Sequence, residues 1–174
     1  MGEVEIRVLG PRDARQHLDS LAAVLHDCVD GGASIGYMTP FTLDDARAAF
    51  GGFIADVEAG SRTMLAAFLD GEVVGTVQFV PAWPPNQPHR ADVTKLLVHR
   101  SARGRGVGRL LMERLEAEAA AAGSWLLVLD AVTEGDAYRL YSRLGWNKVG
   151  DVPDFALYPD GSYCSTTYFW KRVA

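Results

Sequence analysis

The spacing of apolar positions changes several times along the chain, and each change marks an element. Val4 to Leu9 is a short apolar-rich run closed by Gly10-Pro11, which predicts a first strand. Asp13 can cap a helix in which Leu18, Leu21, Ala22 and Leu25 recur at helical spacing. That helix should fail near Gly31-Gly32, because two glycines lower helix propensity sharply. The stretch GGASIGYMTPF, residues 31–41, has no period and reads as an irregular loop. Thr42, with Asp45 three residues on, opens a second helix through Ala46, Phe50, Ile54 and Val57. Thr63 to Leu69 and Glu72 to Val80 are strands joined by Asp70-Gly71, a two-residue hairpin signal. Pro81 to Pro88 is a proline-rich loop, in which Trp83 reads as an anchor, and Ala91 to His99 is the next strand.

The second half alternates. Leu110, Leu111, Leu115, Ala119 and Ala122 mark a helix that stops at Gly123. Trp125 to Leu129 is a continuous apolar run, as expected of a strand buried on both faces, and Asp130 stands at its C-terminal end. A helix follows from about Asp136 to Leu144, ended by Gly145. Strands near Trp146 to Val149 and Tyr163 to Arg172 are separated by a Pro/Asp/Gly loop. The order β-α-α-β-β-β-α-β-α-β-β predicts an α/β protein with a central sheet and helices on its faces.

Composition narrows the class without naming a chemistry. The 174 residues suit one domain spanning 1–174, since a second core needs roughly another 100. Apolar residues at 48% are enough for a sizeable core and argue against disorder. A net charge of -5 disfavours nucleic acid or an anionic membrane as partner. Cys28 and Cys164 form no disulfide framework and no zinc-type pair, and His17, His26, His89 and His99 are scattered, so no metal site is expected. With no long apolar run and an acidic N-terminus, the expected location is the cytoplasm.

One window departs from the average. RSARGRGVGR, residues 100–109, holds four arginines (Arg100, Arg103, Arg105, Arg109) and no acid, interleaved with Gly104, Gly106 and Gly108. It lies between a strand and a helix beginning near Val107. Free amides and the helix dipole favour anions there, and glycines admit a phosphate close to the backbone. The segment lacks the Gly-Lys-Ser/Thr ending of a P-loop. Its G-x-G-x-G spacing also misses the dinucleotide fingerprint G-x-G-x-x-G. The remaining readings are a pyrophosphate cradle or a solvated, charged turn.

Arg103, Gly106 and Gly108 form R-x-x-G-x-G, and Ala137 to Trp146 reads AYRLYSRLGW. Both stretches resemble signatures of the GNAT family of N-acetyltransferases, with Trp146 where the family usually has Phe. The resemblance implies a mostly antiparallel, mixed sheet of about seven strands, splayed where acetyl-CoA binds. It implies that the loop amides from Arg103 through Gly104, Arg105, Gly106, Val107 and Gly108 to Arg109 hold the CoA pyrophosphate. The backbones of Leu96, Leu97 and Val98 would serve the thioester oxygen and the pantetheine arm. Glu134 stands where the family often has an asparagine that contacts CoA. GGASIGYM (31–38), RADVTKLLV (90–98), SARGRGVGRLLM (101–112) and PDG (159–161) further resemble a toxin-resistance branch, whose members acetylate the amino group of a β-lactam toxin.

The resemblance assigns chemistry residue by residue. Tyr141 matches the tyrosine that protonates the departing CoA thiolate. Asp130 and Asp92 match acidic positions linked to catalysis or substrate binding in the toxin-resistance branch. Either carboxylate can take the ammonium proton, directly or through water, or hold it by charge. Each can instead be a strand-end cap or an ion-pair partner. In the loop 31–41, Ser34, Tyr37 and Phe41 are candidate substrate contacts. The expected acceptor is the primary amine of a small molecule. The alternatives are a peptide or protein amine, and a non-catalytic acyl-CoA sensor. A homodimer would pair through C-terminal edge strands.

Overall fold

The computed structural model describes residues 2–173. It contains a seven-stranded sheet in the order β1-β2-β3-β4-β5-β7-β6. β1 (Glu5–Leu9), β2 (Thr63–Leu69), β3 (Glu72–Pro81) and β4 (Arg90–Val98) form an antiparallel half. β5 (Leu126–Val132), β7 (Tyr163–Arg172) and β6 (Asn147–Leu157) form the other half, also antiparallel. The single parallel pairing, β4 with β5, joins the two. A mixed, mostly antiparallel sheet with helices on both faces is therefore what the chain forms.

Helices cover each face of this sheet with a separate core. On one face, α1 (Pro11–Gln16), α2 (Leu18–Asp30) and α3 (Leu43–Glu58) pack Leu21, Leu25, Phe50 and Ile54 against Met64, Ala66 and Phe68. On the other, α4 (Val107–Ala121) and α5 (Asp136–Arg143) enclose Leu111, Leu115, Leu65, Val77, Leu127 and Phe169. The alternation of β2 makes this possible: Met64 and Ala66 face one core, Leu65 and Ala67 the other.

Several local predictions hold for their stated reasons. Asp70 (φ 51°) and Gly71 (φ 86°) make the two-residue turn of the β2–β3 hairpin. The Thr42 hydroxyl accepts from the Asp45 amide at 3.1 Å, and the Asp45 carboxylate accepts from the Thr42 amide at 2.8 Å. That reciprocal pair is the expected capping box of α3.

Other expectations need correction. Asp13 does not cap the first helix. Gly10 does, with Pro11 in the first position where its missing N–H costs nothing, and the helix breaks at His17 into α1 and α2. The Pro/Asp/Gly loop expected after Val149 is largely strand: β6 runs to Leu157. A register shift between Val152 and Ala156 absorbs Pro153, which cannot donate to a ladder, and Asp154, at φ 51°. Trp83 is 90% exposed and anchors nothing.

No helix among the described residues is long and apolar enough to cross a membrane. No group of three or more His, Cys, Asp or Glu residues among them is placed to hold a metal.

Gly75 in β3 carries a requirement the sequence pattern does not show. A Cβ there would lie 3.0 Å from the Leu97 carbonyl oxygen and 3.1 Å from Val107 Cγ1, so α4 can start this close to the sheet only over a glycine. Gly75→Ala is expected to destabilise the fold by about 1–3 kcal/mol through overpacking. A urea titration should show a lowered midpoint at unchanged m-value.

Candidate active site

The site begins where the sheet opens. β4 and β5 are paired only from Arg90, Ala91 and Asp92 to Leu126, Leu127 and Val128, although both strands run on. Within the unpaired stretch β4 carries a bulge. Thr76 faces Leu97 and Gln78 faces Thr94, so Lys95 and Leu96 share one opposing residue. Lys95 adopts φ 56°, a left-handed conformation uncommon for a residue with a Cβ. Beyond the bulge, the side of β4 toward β5 has no strand partner. The backbones of Leu96, Leu97 and Val98 line that opening, while the Leu97 side chain is buried in the α2/α3 core.

The Gly/Arg segment follows directly. A single 3-10 turn, Arg100–Ala102, leads through Gly104 (φ 75°) and Gly106 (φ 77°) into α4. Gly106 is the N-cap and supplies no side-chain cap, so the amides of Val107, Gly108 and Arg109 have no intrahelical acceptor. Open space lies beside both left-handed glycines. Gly108 differs. A Cβ there would press at 3.1 Å on the mobile end of Leu140, so its backbone geometry does not demand glycine.

The arginines are less available than the sequence implies. The Arg100 amide and Nε both donate to Asp27 at 2.8 Å, and its Nη2 donates to Asp30 at 2.8 Å. Burial opposes ionisation of Asp27, but these bonds from Arg100 hold its carboxyl below the usual range. Arg109 is paired with Glu113 at 2.9 Å. Arg103 stays on the surface, with its Nε donating to the Val98 carbonyl at 3.2 Å. Arg105 is exposed and has no ion-pair partner among the described residues. The stretch is acid-free in sequence but not in space.

Asp130 lies inside β5, not at its end, two residues past Val128, the last residue paired to β4. Its Oδ2 accepts from the Thr166 hydroxyl at 2.7 Å. By strand alternation Asp92 projects from the same sheet face, but it is bound to Arg90 at 2.6 Å and its side chain is 53% exposed. Tyr168, opposite Asp130 in register, senses both acids: burial first, then the charges of Asp130 and Asp92, raise its pKa. Tyr141, on α5, packs over the other face of the sheet against Trp146 and Phe169. It is 5% exposed, and burial followed by the Asp130 charge pushes its phenol well above the usual range. Tyr141 and Asp130 therefore lie on opposite faces of the sheet, close enough for the carboxylate charge to act on the phenol.

The 31–41 loop crosses the open end of the splay. The Ser34 hydroxyl donates to the Leu157 carbonyl at 2.7 Å, and the Thr39 hydroxyl to Pro159 at 2.8 Å, fastening the loop to the β6–β7 hairpin. Tyr37 and Phe41 pack together at 4.7 Å, and Tyr37 lies 5.2 Å from Lys95 Nζ. Ser34 is thus tied to the hairpin, whereas Tyr37 packs on Phe41 and the α2/α3 core beside Lys95. Glu134 is exposed, at φ 60° in the turn before α5. Lys95, Thr166 and Tyr168 escaped the sequence reading. Their place depends on the bulge and on strand register, which no local pattern announces.

The acetyltransferase (GNAT) family model matches residues 24–146. The chain belongs to this family. Solved structures with the same fold include an N-acetyltransferase from Staphylococcus aureus Mu50, 21% identical at a TM-score of 0.80, covering 99% of each chain. A ribosomal-protein-alanine N-acetyltransferase from Brucella melitensis is 22% identical at 0.79, covering 97% of this chain and 99% of its own. yncA from Salmonella typhimurium, solved with its cofactor acetyl-CoA, is 20% identical at 0.78, covering 99% of this chain and 95% of its own.

As a GNAT acetyltransferase the chain uses acetyl-CoA, and its residues fit that cosubstrate. The uncapped start of α4, the space beside Gly104 and Gly106, and the unpartnered Arg105 suit a pyrophosphate. The unladdered edge of β4 offers backbone groups to an extended arm.

Gly106→Ala places a Cβ in the left-handed region and should weaken acetyl-CoA binding by about 1–2 kcal/mol. Gly108→Ala should change it far less. Calorimetric titration of both variants checks the contrast.

Proposed function

We propose that this acetyltransferase transfers the acetyl group directly from acetyl-CoA to the primary amine of a small molecule. We propose further that residues 1–174 act as one catalytic unit. What supports the reading is that the Asp130 charge acts on the buried Tyr141 phenol across the sheet, beside the stretch where β4 and β5 part, with Asp130 anchored by Thr166.

The cosubstrate supplies an activated acetyl group and a thiolate leaving group. The protein's part is to manage protons. Asp130 faces the acceptor, favours its ammonium by charge and receives the proton as the amine becomes nucleophilic, directly or through water. Thr166 fixes the carboxylate's orientation. Tyr141 keeps its proton across the neutral range, because burial and the nearby carboxylate disfavour phenolate, and donates it to the departing sulfur. The unpaired backbone of β4 at Leu96 to Val98 is placed to stabilise developing negative charge on the thioester oxygen. Asp92, neutralised by Arg90, is an outer wall of the site and not its base.

A small acceptor is favoured over a peptide because the 31–41 loop is tied across the cleft mouth at Ser34 and Thr39. The toxin-resistance resemblance of residues 31–38, 90–98 and 101–112 makes β-lactam-type amines one set worth assaying. The Brucella relative's name is what speaks for a peptide amine. A sensor without catalysis has no use for a protonated tyrosine and an anchored carboxylate at one opening.

Release of CoA thiol with an amine panel tests the reaction, and acetyl-CoA binding without turnover across that panel would count against it. Tyr141→Phe should lower kcat by about 10²-fold or more at unchanged acetyl-CoA affinity. Asp130→Asn should cost about 10²-fold, and Asp92→Asn less than about tenfold. The sign of the pH dependence follows from Tyr141. Its proton is lost only above the ordinary tyrosine range, so the wild-type rate should not fall between pH 7 and about 10. A rate–pH profile checks this.

A further inference from the structure

Beside Asp130, on the α3 side of the gap, lies a cluster that the transfer chemistry does not use. Lys95 is half-buried, and its Nζ donates to the Ile35 carbonyl at 2.9 Å. No carboxylate among the described residues lies within ion-pair distance of it. An ammonium has three N–H donors, so tying down the loop leaves two unused. The Phe53 ring lies beneath two cations, Lys95 Nζ at 6.0 Å and the Arg62 guanidinium at 4.7 Å. Arg62 is held by Asp56 at 3.1 Å and donates to Gln78 Oε1 at 2.6 Å. Gln78 is fully buried, next in register to Thr94 and so to the bulge. Its Nε2 is the one buried side-chain polar atom among the described residues with no hydrogen-bond partner.

An orphaned buried donor of this kind calls for an explanation. Here it sits beside Arg62, whose charge is balanced by Asp56, and near Lys95, whose charge has no ion-pair partner among the described residues, while Asp130 belongs to the far side of the opening. Burial first, and then the Arg62 charge, lower the Lys95 pKa, while Asp130 opposes them. The opening thus has a donor-rich end, with the Lys95 ammonium and the Gln78 amide backed by the Arg62–Asp56 pair, and an acidic end at Asp130. A molecule with an anion at one end and an amine at the other satisfies both.

We propose that the acceptor is an amino acid or a close analogue, whose carboxylate is bound by Lys95 and Gln78 beside Arg62 while its amine faces Asp130. This rests on the acetyltransferase reading above and names the acceptor class for the same site. A simple amine would leave the Lys95 ammonium and the Gln78 amide without acceptors, and sites built to bind a polar group reject analogues that lack it. The Tyr37 and Phe53 rings, flanking Lys95, give the aliphatic part of the acceptor a surface.

The test compares free amino acids with their methyl esters in the acetyl-CoA assay, at one pH. Ester amines are less basic, which favours the attacking neutral form, so poorer ester turnover cannot come from protonation. Esters should lose about ten- to a hundredfold in kcat/KM. Lys95→Met should raise KM for the acids with little change in kcat and erase the acid–ester difference. Lys95→Arg should restore part of it. Gln78→Glu, which fills the site with a carboxylate of its own, should also erase the preference.

Equal turnover of acids and esters overturns the inference but leaves the acetyltransferase reading standing. Equal losses for both in Lys95→Met also overturn it, because that is the signature of a loop strap. If no amine is turned over, the acetyltransferase reading fails, and calorimetry of the same amino acids with CoA-loaded protein decides. Binding abolished by Lys95→Met upholds the carboxylate site, and absence of binding by any of them overturns it.

Discussion

The structure depends on a parallel strand pair that is allowed to fail. β4 and β5 are hydrogen-bonded for only three residues each, then part. A strand edge left unpaired in the interior would normally carry a desolvation cost for each amide and carbonyl. On the reading proposed above, that cost is met by the cosubstrate, whose extended arm takes the place of the missing ladder. The bulge at Lys95 and Leu96 makes the break definite. It takes up an extra residue against β3, twists β4 away from β5, and keeps the antiparallel half of the sheet intact.

A gap through a sheet also changes which residues can cooperate. Strand alternation ordinarily separates groups on opposite faces by the full thickness of the backbone layer. Tyr141 belongs to the α4/α5 core, and Asp130 projects toward the α2/α3 side, yet the carboxylate charge still disfavours ionisation of the phenol. Each group has the surroundings that its proposed task requires. The phenol is buried and stays protonated. The carboxylate is exposed, anchored through one oxygen by Thr166, and free to exchange a proton with an acceptor or water.

How much of this was legible in the sequence follows the range of each interaction. Asp70-Gly71 and the Thr42–Asp45 box act within four residues, and both hold in the structure. The segment 100–109 was legible because composition is local, but the apolar run Trp125 to Leu129 misled. β5 alternates, with Leu127 and Leu129 buried, Leu126 and Val128 only partly so, and Trp125 exposed, because one face of the strand borders the opening. Lys95, Thr166 and Tyr168 were not legible. A bulge decides the direction of the first, and pairing partners 36 and 38 residues away from Asp130 in sequence, in register at β7, decide the others. β6 was cut short in the reading because Pro153 and Asp154 look like a loop. The structure tolerates them as a bulge on an edge strand with no partner on its outer side.

The arginine segment shows why charge counted along the chain is a poor guide to charge in space. Arg100 is consumed by Asp27 and Asp30 of α2, Arg109 by Glu113 one turn along α4, and Arg103 by the end of β4. These contacts fix the loop against two helices and a strand. Electrostatic attraction is then left to Arg105 and to the uncapped amides of α4, which are aimed by the backbone and cost no side-chain entropy to position. A loop built this way is suited to an anion by its shape. The arginines that look like ligands in the sequence mostly hold that shape, and the glycines at 104 and 106 supply it.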